Sequence, residues 1–284
     1  MTQPHVTSLH RFPVKSLAGH PVEQLTIDRS GPQGDRTWML VLPDGQGLTA
    51  REQNDLLLVR PEIKATGLTI RAAGHPDLVA TIPTGPTDIP VKVHSTSLLA
   101  SAAGEEADEW FSALVGRPLR LVYLGDPDIR PVRADYGKPD DRVSFADGFP
   151  LLLTSTESLD ALNDLVASGR FPDEWPMSMT RFRPNIVISG MPAAWAEDGW
   201  RRIRIGDAIF RTPKGCDRCV MTTVDPDTAV RGREPLASLV KHRRWDGRTW
   251  FGMNLIPDTP GTQIRLGDEL EVLESVSDPD GPPR

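Results

Sequence analysis

Residues 36–48 read RTWMLVLPDGQGL: an apolar run from Trp38 to Leu42, a Pro43-Asp44-Gly45 turn signal, and a second short segment ending in Leu48. Aromatic and aliphatic residues in a short run suit a pleated strand, and Asp44-Gly45 offers the backbone positions with φ > 0 that a tight hairpin needs. The stretch predicts strand, turn, strand. Similar phrases surround it: HVTSLHRFPV (5–14), VEQLTID (22–28), LLLVRPEI (56–63) and LTIRA (68–72) each read as a strand bounded by Gly, Pro or Asp. With 27 prolines and 24 glycines scattered along 284 residues, many short strands joined by shaped turns are expected. The fold class expected is mainly β with a few helices.

Further along, SAAGEEADEWFSALV (101–115) carries helical spacing, with Ala107, Trp110, Phe111 and Leu114 on one stripe. RPLRLVYL (117–124) returns to strand, and residues 126–147 are polar and rich in Pro and Asp, as in a long loop. A second helix is expected over STESLDALNDLVA (155–167), where Ser155 can cap and Leu159, Leu162 and Leu165/Val166 face inward. RFRPNIVISG (181–190), WRRIRIGDAIFR (200–211), CVMTTVD (219–225) and TQIRLGDELEVLE (262–274) are strand-like again. IRIGDAIF and IRLGDELEV resemble each other and predict two strands entering similar turns. The last residues, SDPDGPPR, read as a loose tail.

The formal charge of −7 argues against a general nucleic-acid binder, whose footprint should be basic. No 18-residue apolar run is present and the N-terminus lacks a signal-like segment, so a cytoplasmic protein without a membrane span is expected. Dinucleotide loops, phosphate-binding P-loops, nucleophile elbows and HExxH zinc motifs are absent from the sequence.

Four clusters could carry chemistry. Cys216 and Cys219, the only cysteines, stand in GCDRCVMTTVDP (215–226). A disulfide, a dithiol redox pair, half of a zinc cage, incidental free thiols, or one thiolate acting as a single soft ligand are all open to such a pair. The strand-like VMTTVDP that follows suits a thioredoxin-type CxxC poorly, and a zinc cage lacks its second pair. Arg218 beside Cys219 would lower a nearby thiol pKa or hold an anion. FPVKSLAG (12–19) offers Lys15 and Ser16 after a rigid proline, an anion grip. GPQGDRTWML (31–40) bends at Gly31 and Gly34 just before Arg36. In TRFRPNIVISG (180–190), extended geometry would put Arg181 and Arg183 on one face, with Asn185 nearby as donor and acceptor. One soft thiolate plus several cationic and polar groups in an acidic protein fit a metal held by sulfurs on an organic, phosphate-bearing cofactor.

In order, FPVKSLAG, GPQGDRTWML, FPLLLTSTESLDALN, RFRPNIVISG, GCDRCVMTTVDPDT, EPLASL, WFGMNL and IRLGDELEVL resemble the MOSC proteins. More narrowly, they resemble the branch with an N-terminal MOSC-type β-barrel domain that includes the mitochondrial amidoxime-reducing components and bacterial relatives. The resemblance implies an N-terminal β-barrel domain over residues 1–95, a MOSC β-barrel domain over 96–275 and a flexible tail over 276–284. It implies the molybdenum cofactor, with Cys219 and not Cys216 as the metal ligand. Lys15, Ser16, Arg36, Ser155, Arg183, Asn185 and Arg218 would bind pterin and phosphate. Cys219 and Arg218 are the implied catalytic residues, while Asp225 and Pro226 would shape the loop behind the metal or, for Asp225, assist proton delivery.

The activity implied is reduction of small N-hydroxylated compounds such as amidoximes and hydroxylamines. A cofactor or sulfur/anion carrier without turnover is the alternative. MOSC domains are also associated with pyridoxal phosphate, but Lys15 is better used on phosphate than on a Schiff base. With two cysteines in the chain, no Fe–S cluster is expected. Electrons would then come from a separate ferredoxin, flavoprotein or cytochrome-type donor. Met191 stands where some reductase relatives carry a third cysteine.

Overall fold

The computed structural model describes residues 3–284. The protein is mainly β, with an N-terminal β-barrel-like portion and a large curled sheet, as the sequence led us to expect. Among the described residues three α-helices accompany the strands: α1 (Glu105–Val115), α2 (Thr156–Ala167) and α3 (Leu236–His242).

The quoted reversal forms, but its second arm is no strand: it meets the first through an isolated bridge between Val41 and Gly47, and Leu48 N–H donates to the Leu40 carbonyl at 2.8 Å. Trp38–Val41 is a strand, and the chain reverses through a turn in which Gly45 N–H reaches the Leu42 carbonyl at 2.8 Å and Leu42 N–H reaches Gln46 at 2.9 Å. Of the two turn residues, Gly45 alone takes positive φ, at 80°. That is a type I turn closed by a left-handed glycine rather than two consecutive φ > 0 residues. A Cβ at position 45 would lie 2.4 Å from the Pro90 carbonyl oxygen, so glycine is required by contact as well as by backbone.

A four-stranded sheet follows the order Trp38–Val41, Arg120–Tyr123, Thr96–Ala102, Thr87–Val93. The 95/96 division drawn from the sequence therefore falls in the turn of a hairpin, and strands on both sides of it share one sheet. Helix α1 covers this sheet with the expected stripe. Its first turn carries Glu105, Glu106 and Asp108, which favour the positive end of the helix dipole, and Gly116 ends it in the left-handed conformation. Trp110 and Phe111 pack with Trp38, Leu40, Leu121 and Val14 in one core.

The largest sheet holds nine strands, and its spine runs Leu270–Ser275, Trp200–Ile205, Ala208–Asp217, Arg248–Pro257, Leu151–Ser155, Ile186–Ser189, His5–Arg11, His20–Val22. The pairing of Leu151–Ser155 with Ile186–Ser189 is parallel, bridged by α2 as a crossover helix. The first strand of the chain thus belongs to the sheet built by its second half, and Gln24–Asp28 pairs with Thr262–Arg265. The two similar phrases lie side by side: Trp200–Ile205 pairs with Leu270–Ser275, and Gly206 and Gly267 both take positive φ in their turns.

Three expectations change. LLLV begins as a 3-10 turn (Asn54–Leu58) before the strand Arg60–Lys64. CVMTTVD is not a strand: Val220–Thr223 is a 3-10 turn, in which the Thr222 and Thr223 hydroxyls return to the carbonyls of Cys219 and Val220. The tail over 276–284 is docked at its end, since Pro282 is buried against Gly215 and Gly215 N–H donates to the Pro283 carbonyl at 2.8 Å. Among the described residues no helix is long and apolar enough to cross a membrane.

Candidate functional site

Phe12 anchors the site. Its N–H donates to buried Asp35 at 2.8 Å, and two guanidinium groups lie over its ring, Arg36 at 4.4 Å and Arg183 at 4.3 Å from the centroid. Arg36 is fixed further by Asp35 (2.5 Å), the Asn185 side-chain oxygen (3.1 Å) and the Arg183 carbonyl (3.2 Å). Asn185 is fully engaged, because its amide nitrogen donates to the His10 carbonyl and Asp35 while its oxygen also accepts from Leu152 N–H. It locks the first strand of the chain to the Arg36 loop, and its side chain is buried.

The extended reading of RFRPN is corrected. Met179–Phe182 is a 3-10 turn and Arg183 is left-handed at φ 55°, so Arg181 and Arg183 part company. Arg181 donates to Asp225 at 2.7 Å, whereas Arg183 stacks on Phe12. Burial, and then the charge of Arg36, pull the Arg183 pKa down to about 9, which leaves it protonated at neutral pH. Its Nη2 is buried without a partner.

Lys15 is almost fully buried and donates to the Phe145 carbonyl at 2.8 Å and to Asp147. Its pKa is lowered, by burial above all, against the opposing pull of Asp147. Asp147 also meets Arg51 Nη2 at 2.7 Å and His94 Nε2 at 3.1 Å. Burial would raise the Asp147 pKa, but Lys15, His94 and Arg51 prevail and hold it well below the usual carboxylate value. Ser16 sits in the left-handed region at φ 70°.

Both cysteines are free. Cys219 is exposed at the start of the 3-10 turn, and its sulfur accepts from Arg51 Nε at 3.4 Å. Arg218 does not serve it. Its Nη1 lies 2.7 Å from the Cys216 sulfur and its Nη2 donates to the Phe182 carbonyl at 2.8 Å, with Nε buried and unpartnered. Burial chiefly pushes the Cys216 thiol up, with Arg218 opposing. Asp225 caps its own loop through Asp227 N–H and the Thr228 N–H and hydroxyl. Burial would raise its pKa, but those hydrogen bonds and Arg181 lower it, so it stays ionised at neutral pH and is a poor proton donor.

Two sets of contacts result: Lys15, Asp147, Arg51 and Cys219 in one, and Arg36, Phe12, Arg183 and, through the Phe182 carbonyl, Arg218 in the other. The Phe145 backbone joins them, since its N–H donates to the Arg36 carbonyl at 2.9 Å and its carbonyl accepts from Lys15, so the five residues belong to that one chain. Ser155 sits apart from that chain: it is fully buried as the α2 cap, with Ser158 and Glu197 as partners. Sequence reasoning missed Arg51, Asp147 and His94, which stand in TARE, FADGF and VHST with no local signal. Backbone strain offers one mark that only the structure carries. Among the described residues, Ser16, Arg36, His94 and Arg183 are four of the eight non-glycine residues with positive φ, and such outliers gather where a site over-determines the backbone. Among the described residues no three His, Cys, Asp or Glu side chains gather as a metal cage.

Two domain families match this architecture: the MOSC N-terminal beta barrel domain over residues 3–118 and the MOSC domain over residues 140–271. Mitochondrial amidoxime-reducing component 1 of Homo sapiens is 36% identical over 288 residues, spanning 94% of this chain and 82% of the human protein. The Mus musculus protein of the same name is 34% identical with the same coverage. A molybdenum cofactor sulfurase of Oryza sativa subsp. japonica is 32% identical over 271 residues, 88% of this chain but 32% of the rice protein. The fold and these matches define a MOSC-domain protein. Within that class, the chain belongs to the family of the mitochondrial amidoxime-reducing components and their bacterial relatives.

Proposed function

We propose that the protein is a molybdenum-cofactor-dependent reductase of small N-hydroxylated compounds. One observation carries the reading. Buried guanidinium N–H groups on Arg183 and Arg218 lack partners, and they belong to the same connected group of residues as an exposed cysteine. Buried charged donors are costly to leave unpaired, so an anionic group bearing several acceptors fits the donor set.

On this reading Lys15, Ser16, Arg36, Arg183 and Arg218 hold the phosphate and pterin of the cofactor, and the Cys219 sulfur is the protein's ligand to the metal. Asn185 acts one step behind, by holding Arg36. Ser155 would act through the start of α2 and not through its own hydroxyl, which is committed to Ser158 and Glu197. When bound, molybdenum and its dithiolene sulfurs supply the two-electron redox change. Overall, an N–OH group takes two electrons and two protons, the N–O bond breaks, and the N–H product leaves with water. The protein contributes placement. Phe12, with both guanidinium groups over its ring, fixes them before any ligand arrives, so their ordering cost is met in folding. A separate protein supplies the electrons.

The test is metal and pterin content, then benzamidoxime reduction with a chemical donor, on protein produced with molybdate in a cofactor-competent host. Stoichiometric molybdenum and turnover that Cys219→Ser abolishes and Cys216→Ser spares are expected. Protein free of molybdenum and pterin from such a host overturns the reading, and bound cofactor that no donor can cycle favours a carrier.

A further inference from the structure

We propose that Arg51 and Asp147 are positioning residues that hold the Cys219 sulfur in one orientation, a role that deepens the reading of Cys219 as a metal ligand and rests on it. The sulfur is exposed at the head of a short 3-10 turn, where a cysteine left alone would sample several rotamers. Its chain neighbour Arg218 is spent on Cys216 and the Phe182 carbonyl. Among the described residues, the side-chain donor that reaches it is Arg51, at 3.4 Å.

Arg51 is held at three points. Nε faces the sulfur, Nη2 donates to Asp147 Oδ2 at 2.7 Å, and its backbone carbonyl accepts from Arg231 Nη2 at 3.1 Å. Arg231 lies in the loop that follows Cys219 and also donates to Asn54 at 3.1 Å, so the segments around residues 51 and 219 clasp each other from both ends. Asp147 is half-exposed, and its other oxygen, Oδ1, accepts from buried Lys15 and meets His94 Nε2, so both of its oxygens are engaged. A planar guanidinium whose separate N–H groups meet a sulfur and a fixed carboxylate has one orientation, and through it the sulfur has one as well.

An ordinary surface ion pair would use only the carboxylate, and lysine would replace arginine in it without loss. The contact to sulfur is what lysine cannot keep while it pairs with Asp147. Hydrogen bonds from outside the ligand shell orient a metal-binding side chain, and their loss costs about 10–100-fold in metal affinity.

The experiment uses the full chain labelled with ¹³Cβ-cysteine, which gives two resonances assigned by Cys216→Ser. In cofactor-free protein, Cys219 should show one sharp signal with a single-rotamer coupling. Arg51→Lys and Asp147→Asn should average it while the Cys216 signal stays in place. In protein loaded from a molybdate-fed host, both variants should lose metal about tenfold more readily on dialysis and shift the sulfur-to-metal absorption band. The double variant should be no worse than Arg51→Lys alone, since the two act in series. Unchanged melting temperatures exclude a folding defect. A Cys219 signal in Arg51→Lys identical to wild type overturns the inference, and so does wild-type metal retention in that variant. Wild-type protein that never takes up molybdenum, yet loses its single rotamer in Arg51→Lys, sinks the reductase reading and leaves the positioning role standing.

Discussion

Arg218 meets the sulfur of Cys216 at 2.7 Å, although Cys219 is its immediate neighbour in the chain. The strand that carries Cys216 ends at Asp217, and the backbone then turns into the 3-10 segment from Val220. That change of direction sends the two thiols to different partners. Cys216 is held by a residue two positions away, and Cys219 by Arg51 from 168 positions away.

The two thiols should therefore differ in reactivity. Cys216 is partly buried, and burial raises its pKa, so it stays protonated at neutral pH. Iodoacetamide should modify Cys219 faster than Cys216 by about tenfold or more. Peptide mass spectrometry after timed quenching reads the ratio, and equal rates would contradict this geometry.

Phe12 supports two cations and fills a buried slot. Phe12→Ala should destabilise the protein by about 3 kcal/mol, as other buried Phe→Ala changes do. Phe12→Leu should cost less yet still release Arg36 and Arg183. Denaturant titration gives the first quantity, and weakened binding of inorganic phosphate by Phe12→Leu reports the second.

Asn185→Ala should behave as a core mutation, since it strips partners from the His10 carbonyl, Leu152 N–H, Asp35 and Arg36 together. About 2–4 kcal/mol is expected from buried groups left unpaired. A loss under 1 kcal/mol, on the order of an exposed hydrogen bond, would mean that solvent already serves these groups.

Glu197 should give stability a pH dependence of its own. Burial raises its pKa in the fold, while the Ser158 hydroxyl, which donates at 2.7 Å, opposes the shift. The native state then binds the proton more tightly than the unfolded chain. Its contribution is fully present below the unfolded carboxylate pKa, falls as pH rises through the folded value, and is level above that. Glu197→Gln should remove this slope, so its stability relative to wild type should rise with pH from mild acid to neutrality. Urea midpoints at a series of pH values measure it, and parallel curves would refute it.

Much of the fold was legible locally. Alternating short runs named many of the strands, though not Thr87–Val93, Thr96–Ala102, Leu151–Ser155 or Arg248–Pro257; the stripe through Trp110 and Phe111 named α1, and Ser155 was read as a cap, which it is. The errors fall where hydroxyls and arginines have partners that the sequence cannot display. TTV reads as strand because threonine is β-branched, yet here both threonine hydroxyls return to the backbone and favour a 3-10 turn. RFRPN reads as extended, but Arg183 is held in the left-handed region while its carbonyl accepts from Arg36 and its side chain lies on Phe12. The Pro/Gly tail reads as loose until its carbonyl finds Gly215.

The sequence by itself determined the β-rich class, the helices α1 and α2, and the residue types able to grip an anion beside a thiol, because those follow from periodicity and side-chain chemistry along one stretch of chain. Tertiary structure alone decided which arginine serves which sulfur, and it brought in Asp147, His94 and Arg51. Those choices depend on contacts between residues far apart in the chain, set by how the sheets close, and no local pattern records a distance across a fold.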